Sequence, residues 1–409
     1  MTTEVYVATT VADPVTDWMT DFDHTDAGWV ADPFPIWDDL RKRCPVAHSD
    51  RFNGVYLPTR YDDISAIAYD TDHFTSRSVV VSNNFDAAEA PIGGAPPITS
   101  DPPFHQHARR LLLPAFAPKM IDALRERTTA LCDRLLDELD GRDVVDAALD
   151  YAQHIPPSVI AHMLGLPDED HDKFREFVHD VIVDVGAAPE VRGERFQRLD
   201  AYLDPHIQSH RDEPKDDLIG FLLESEIFGQ KLSHEHVRGT IVLLLIAGID
   251  TTWSAIGASL FHLASNDADR SRLVREPSLL PTAIEEFLRA YAPVTMARIV
   301  KEDVEISGVT LEAGQWCLLP FPAANRDPES FPDADSVLID REQNRHVAFG
   351  LGIHRCLGSN LARMELTVAV ERWMARFPDF ILEDPTAVVW SAGQVRGPRV
   401  LPVRVLERA

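Results

Sequence analysis

The sequence predicts a mainly α fold with small β-sheets, and three observations carry that expectation. A helical period dominates from residue 104 onward and is broken by proline rather than by alternating strand patterns. Strand-like stretches are short, gathering at Gly54-Val55-Tyr56-Leu57, around 299–320 and near 387–405. Length alone would allow two or three domains, yet no repeat, low-complexity linker or clean boundary divides the chain, so residues 1–409 read as one domain.

Taken in order, the first 60 residues mix turns with one short strand. Residues 76–103 have no helical period and hold Pro91, Gly93, Gly94, Pro96, Pro97, Pro102 and Pro103; a loop this long inside a compact protein is commonly functional. Residues 104–140 carry apolar positions at helical spacing, interrupted by Pro114 and Pro118, and 154–229 read as several helices. Ser233 is an N-cap, with His236 where a capping box would have Glu. It opens a periodic segment to about Ser265, long for a globular helix. Further helices are expected over 281–291 and over 357–376, the last ending before Pro378.

Composition narrows the function. Apolar residues make up 45% and charged residues 26%, ordinary for a soluble protein, and a chain of 409 residues needs no disulfide or structural metal to fold. The 66 acidic against 39 basic residues give a net charge of -27, which argues against binding nucleic acid or anionic membrane surfaces. Cys44, Cys132, Cys317 and Cys356 are too scattered for a disulfide framework and read as thiols in a reducing compartment. The N-terminal stretch is acidic, without the basic start and apolar run of a signal peptide. The longest apolar run, 241–249, is about half of what a membrane span requires. The expectation is a soluble, cytoplasmic protein.

The most informative segment is Phe349-Gly350-Leu351-Gly352-Ile353-His354-Arg355-Cys356-Leu357-Gly358. Its glycines permit tight turns and close backbone approach to a flat or bulky group. A helix begins directly after the cysteine, and unpaired N–H groups at a helix start favour thiolate over thiol. No second cysteine stands at CxxC spacing, which excludes such a redox or zinc site; a nucleophile or a metal ligand remains. The pattern closely resembles the haem-binding loop of cytochrome P450 enzymes. That resemblance implies that Cys356 is the axial thiolate of haem b iron, that Phe349 packs on the proximal side and that His354 faces a haem propionate.

Other segments resemble the same family in the same order, from residue 101 to 365. Glu286 and Arg289 stand three apart on one helix face. The same spacing recurs at Glu235/Arg238 and Glu342/Arg345, but the 286/289 pair sits where the family places a buried structural network, with Arg326 or Arg345 as third member. Ala247-Gly248-Ile249-Asp250-Thr251-Thr252 collects poor helix formers mid-helix, a local conflict that marks function; back-bonding threonines can distort the helix there. It resembles the family's oxygen-binding groove, with Ala247 and Gly248 beside the haem and Asp250 and Thr251 as acid and alcohol. His105 and Arg109 share one helix face and can donate to an anion. By resemblance they and Arg298 meet the propionates; Phe104 departs from the family's usual Glu, and residues 324–328 match a structural segment.

The resemblance implies a triangular, mostly α domain with haem between the 234–265 helix and the cysteine loop, and a soluble monooxygenase that inserts one atom of O2 into a small hydrophobic substrate. No flavin or iron–sulfur motif is fused to the chain, so electrons would come from NAD(P)H through a ferredoxin reductase and a ferredoxin, docking near Arg110, Arg125, Arg355 and Arg363. A peroxide-driven peroxygenase and a non-catalytic haem sensor are the alternatives; the acid–alcohol pair argues against both. The pocket is expected from 77–98, parts of 165–190, 243–251 including Leu243 and Leu244, 294–297 including Val294 and Thr295, and the tail at Gln394 and Val395, with Asn83, Asn84 and Thr295 as polar anchors. Residues 391–398 look like those of relatives acting on small aromatics and ethers, which inclines the substrate toward a small aromatic, an aromatic ether (O-dealkylated rather than hydroxylated) or a terpenoid.

Overall fold

A computed structural model describes residues 13–81, 94–167, 170–178 and 189–408. The helix His234–Ser265 runs through the molecule and is hereafter the central helix. Its start follows from local chemistry, since Ser233 accepts from the His236 N–H. Its apolar residues face inward nearly all round, because it packs against Ile155–Leu164 on one side and Ser359–Arg376, the proximal helix, on another. Ile241, Ile249, Ile256, Leu260 and Leu263 are fully buried. Each such side chain contributes about 1.5–3 kcal/mol of burial. Among the described residues this is the one helix long and apolar enough to cross a membrane, with a mean hydropathy of 1.8, and 83% of that stretch is buried inside the fold. The helix continues unbroken through Asp250-Thr251-Thr252.

The proximal helix begins at Ser359 rather than Leu357 and ends at Arg376, one residue before buried Phe377. Trp373, Phe377 and Phe380 stack edge to face beside Tyr151, whose hydroxyl donates to the Ala369 carbonyl. The helix Leu280–Ala290 lies against both long helices.

Strand signals resolve into small sheets. The largest orders Val46–Ser49, Val55–Pro58, Trp316–Pro320, Thr295–Val300 and Phe74–Thr75, with the contact between Trp316–Pro320 and Val55–Pro58 parallel. Register in this sheet sets Cys317 opposite Arg298. A second sheet joins Asp379–Leu382, Pro402–Glu407 and Val144–Asp146, and the pair Val389–Trp390 with Pro398–Val400 folds the tail back onto the central helix.

Candidate haem and substrate site

The cysteine loop is held by its own backbone. The Cys356 N–H donates to the Phe349 carbonyl at 2.7 Å, and the Gly350 N–H to Val347 at 2.8 Å. Gly352, at φ 66°, passes so close to Ala68 that an added Cβ would stand 2.2 Å from its carbonyl oxygen, so only glycine fits. Upstream, the Asn325 carboxamide accepts from the Val347 N–H at 2.7 Å, giving the 324–328 segment its structural task.

Cys356 opens onto a cavity of about 290 Å³ between the loop and the central helix. Its enclosed surroundings push the thiol above its ordinary pKa, while the Gly358 N–H, Arg109, Arg355 and Arg363 draw it down. The net direction is upward, against the expectation of a helix-activated thiolate, because desolvation outweighs the donors. Such a sulfur is a poor free nucleophile. A bound cation would hold it as thiolate.

Around the cavity stands a group of donors. His105 and His354 lie with ring centroids 4.3 Å apart, both nitrogens of His105 and Nε2 of His354 are buried with no hydrogen-bond partner, and Arg109 and Arg298 flank them. Burial, then the neighbouring cations Arg298, His105 and Arg109, hold His354 down to about 2. Burial and Arg109 hold His105 down to about 4. Burial lowers even Arg298 to about 10, against the pull of Asp101 and Cys317. Asp101 is already engaged by the Thr75 hydroxyl and the Ser76 N–H. Arg109 donates to the Arg355 carbonyl at 2.5 Å and Arg298 to Ala297 at 2.8 Å, leaving further N–H groups for a ligand. This donor set suits an anionic group with two carboxylates, and the cysteine beside it suits the iron at such a group's centre. The residues fit haem.

On the opposite wall Ala247, Gly248, Thr251 and Thr252 face the cavity. Thr251 Oγ1 donates back to the Ala247 carbonyl at 2.8 Å. Asp250 does not line the cavity; its carboxylate meets Arg399 at 2.7 Å, with both side chains buried. Arg399 stacks on Trp253 at 4.4 Å and donates to the Ser254 hydroxyl at 3.2 Å. Sequence reasoning missed this partner, which no local spacing connects to Asp250.

Leu243, Leu244, Val294 and Val395 line the cavity as expected, with Val294 bridged to Val395. Thr295 does not: the pleat turns Met296 and Arg298 toward the cavity and Thr295 away. No described residue of 165–190 lines it; Ile160, one helix earlier, does. Asn83 and Asn84 lie outside the described residues. Phe349 lines the cavity beneath the Arg363 guanidinium, 4.5 Å from its ring centre. Arg363 is committed: it makes a two-point contact at 2.6 and 2.8 Å with Glu285, whose carboxyl, despite burial pushing it up, is drawn to about 2 by Arg363 and His346. Arg110, Arg125 and Arg355 remain exposed.

Behind the site, Glu286 and Arg289 are fully buried and bonded at 2.8 Å twice, through the Nε and Nη2 of one guanidinium edge. The third member is Arg341, at 3.0 Å, joined by Asn344 at 3.1 Å. Arg326 instead donates to Ala290 and stacks on Phe34, and Arg345 is exposed. Glu286 has no reach left for either: Oε1 accepts from Arg289 and the Leu338 N–H, and Oε2 from Arg289, Arg341 and Asn344.

Comparison with known proteins agrees with this geometry. A sequence model of the family "Cytochrome P450" matches residues 54–384. Cytochrome P450 107B1 of Saccharopolyspora erythraea is 36% identical over 375 residues, covering 88% of this chain and 92% of the relative. A vitamin D(3) 25-hydroxylase of Pseudonocardia autotrophica is 37% identical over 355 residues, covering 86% and 87%. The crystal structure of CYP109E1 from Bacillus megaterium in complex with testosterone superposes with a TM-score of 0.85 at 30% identity, over 92% of this chain and 98% of that one. A cysteine loop, a donor group shaped for carboxylates and an apolar cavity under a long helix thus sit in the fold that these relatives share, and the chain belongs to the cytochrome P450 family of haem monooxygenases.

Proposed function

We propose that Cys356 ligates haem iron and that the protein hydroxylates an apolar substrate held between the haem and the central helix. The observation that carries this reading is the cysteine opening onto an apolar cavity beside buried donors that have no protein acceptor. Bound haem supplies O2 activation, so that R–H, O2, two electrons and two protons become R–OH and water. His105, Arg109, Arg298 and His354 hold the two propionates by charge-assisted bonds. Leu243, Leu244, Val294 and Val395 exclude water and bury the substrate. Thr251 Oγ1 carries a proton at the cavity wall and can turn it from the Ala247 carbonyl toward the reacting centre. Asp250 can take protons from solvent and hand them to that hydroxyl once its carboxylate swings from Arg399. Electrons come from NAD(P)H through a ferredoxin reductase and a ferredoxin docking by Arg110, Arg125 and Arg355, in the cytoplasm.

For the substrate, the apolar wall and the relatives named for vitamin D(3) and bound to testosterone favour a polycyclic or terpenoid molecule. The tail over 391–398 keeps a small aromatic ether as a second reading. The test is spectroscopic. Reduced, CO-bound protein shows the strongly red-shifted Soret band of thiolate ligation, and Cys356→His binds haem without it; a variant that keeps the band removes Cys356 from this role. In turnover, Thr251→Ala still consumes reduced nicotinamide but releases hydrogen peroxide in place of product, since general acid delivery is typically worth ~10²–10⁴-fold. Full coupling in that variant would exclude Thr251, and equal product from peroxide alone would favour a peroxygenase.

A further inference from the structure

Among the described residues, the cavity wall formed by the N-terminal segment, residues 79–81, Pro97, Ile98, strand Thr295–Val300 and the tail is apolar apart from His24, Gln394 and Arg298. Arg298 belongs to the donor group described above. Gln394 is spent on closing the wall: its oxygen accepts from the Val81 N–H at 2.7 Å, and its amide donates to Val79 at 3.0 Å and Thr295 at 2.8 Å. His24 is different. It is 1% exposed, lines the cavity, and its Nδ1 is buried without a hydrogen-bond partner.

A buried imidazole with an unmet hydrogen bond is costly, and such groups call for an explanation. The surroundings of His24 are rigid rather than accidental. Its ring packs on Phe52 at 5.1 Å. The preceding Asp23 accepts from both the N–H and the hydroxyl of Thr25, at 2.8 and 2.7 Å, and pairs with Arg51 at 3.1 Å. Asp23 is therefore engaged elsewhere, and burial keeps the His24 ring neutral against its pull. A neutral imidazole offers one donor and one acceptor. Whichever nitrogen meets the ligand, a hydroxyl suits it, since it can either give or take; a carboxylate can only accept, and the cation on this wall, Arg298, belongs to the donor group.

We infer that His24 is a substrate-orienting residue, and that the substrate is an apolar molecule bearing a hydroxyl group which hydrogen-bonds this imidazole. The inference rests on the monooxygenase reading and specifies its substrate class. Holding one polar end at a fixed wall lets a mainly apolar pocket select which carbon meets the reactive centre.

The experiment uses the haem-loaded protein and follows the low-to-high spin shift on titration with matched probes: sterol-type and terpene alcohols against the corresponding hydrocarbons. Parent protein should bind the alcohols about tenfold more tightly, because a site with a buried polar group rejects the analogue that leaves it unmet. His24→Phe keeps the ring against Phe52, loses the hydrogen bond, and should erase that preference by weakening alcohol binding. His24→Gln, which restores a donor and an acceptor, should recover part of it. No alcohol preference in the parent, or one that survives in His24→Phe, overturns the inference. The CO spectrum of each protein separates this from failure of the underlying reading: if the parent lacks the thiolate band, the monooxygenase assignment falls first; if the band is present and only the preference is missing, His24 alone is rejected.

Discussion

Two clusters of basic side chains face the same interior and are finished differently. Around Glu286, the guanidinium groups of Arg289 and Arg341 meet one carboxylate and the carbonyls of Asn325, Ala334, Ser336 and Pro332, and all contacts close within the protein. Around the cavity, His105, Arg109, Arg298 and His354 crowd together with ring nitrogens left open; desolvation and then the neighbouring basic groups hold the two imidazoles down, and desolvation lowers Arg298. A satisfied network holds the chain together. An unsatisfied one costs the protein alone free energy, which an anionic ligand recovers. The contrast separates scaffold from site without reference to any relative.

The largest expected effect breaks the satisfied cluster. Glu286→Ala strands two buried guanidinium groups and should lower stability by ~3–5 kcal/mol, seen as a clear drop in Tm with or without haem. A Tm near that of the parent would dissolve the distinction between the clusters.

The next effect has opposite signs in the two forms of the protein. Arg298→Leu should weaken haem retention by ~1.5–3 kcal/mol, read as haem lost on dialysis. In haem-free protein the same change removes a buried charge that holds a carbonyl but no carboxylate ion pair among the described residues, and should leave Tm equal or higher. A fall in haem-free Tm matching that of Glu286→Ala would make Arg298 scaffold instead.

The smallest effect is in pH dependence. Both imidazoles are held below the ordinary 6.5, His105 to about 4 and His354 to about 2, so below pH 6.5 the unfolded chain binds protons that the folded one refuses. Haem-free stability should therefore be complete above 6.5 and fall as pH drops toward 4, by at most about 1.4 kcal/mol per pH unit for each ring. Bound haem supplies acceptors and should flatten the slope, and so should His105→Phe in haem-free protein. Equal slopes from pH 6.5 to 4 in all three would show that these rings are not the source.

The same contrast explains what sequence alone could convey. Ser233 and His236, Glu286 and Arg289, and His105 and Arg109 are partners within one helical turn, and spacing reveals them. The cysteine loop is legible because its glycines, histidine and cysteine crowd into one short segment. What eluded reading joins distant segments: Arg341 rather than Arg326 or Arg345 on Glu286, Arg399 on Asp250, Glu285 on Arg363. Thr295 was misplaced by strand phase alone, since a single residue's offset exchanges cavity for interior. His24 carries no motif; only its burial beside the cavity sets it apart.

The tail has a consequence for how the chain folds. Gln394 ties to Val79 and Val81, Arg399 to Asp250, and the Leu401 N–H to Asp146. Each joins residues 394–401 to a segment far away along the chain. Contacts between distant segments carry a loop-closure cost that the local turns of the cysteine loop and the central helix do not, so they close late in folding. One wall of the cavity therefore depends on late-forming ties, and a bulky, flat cofactor has its widest doorway before they close.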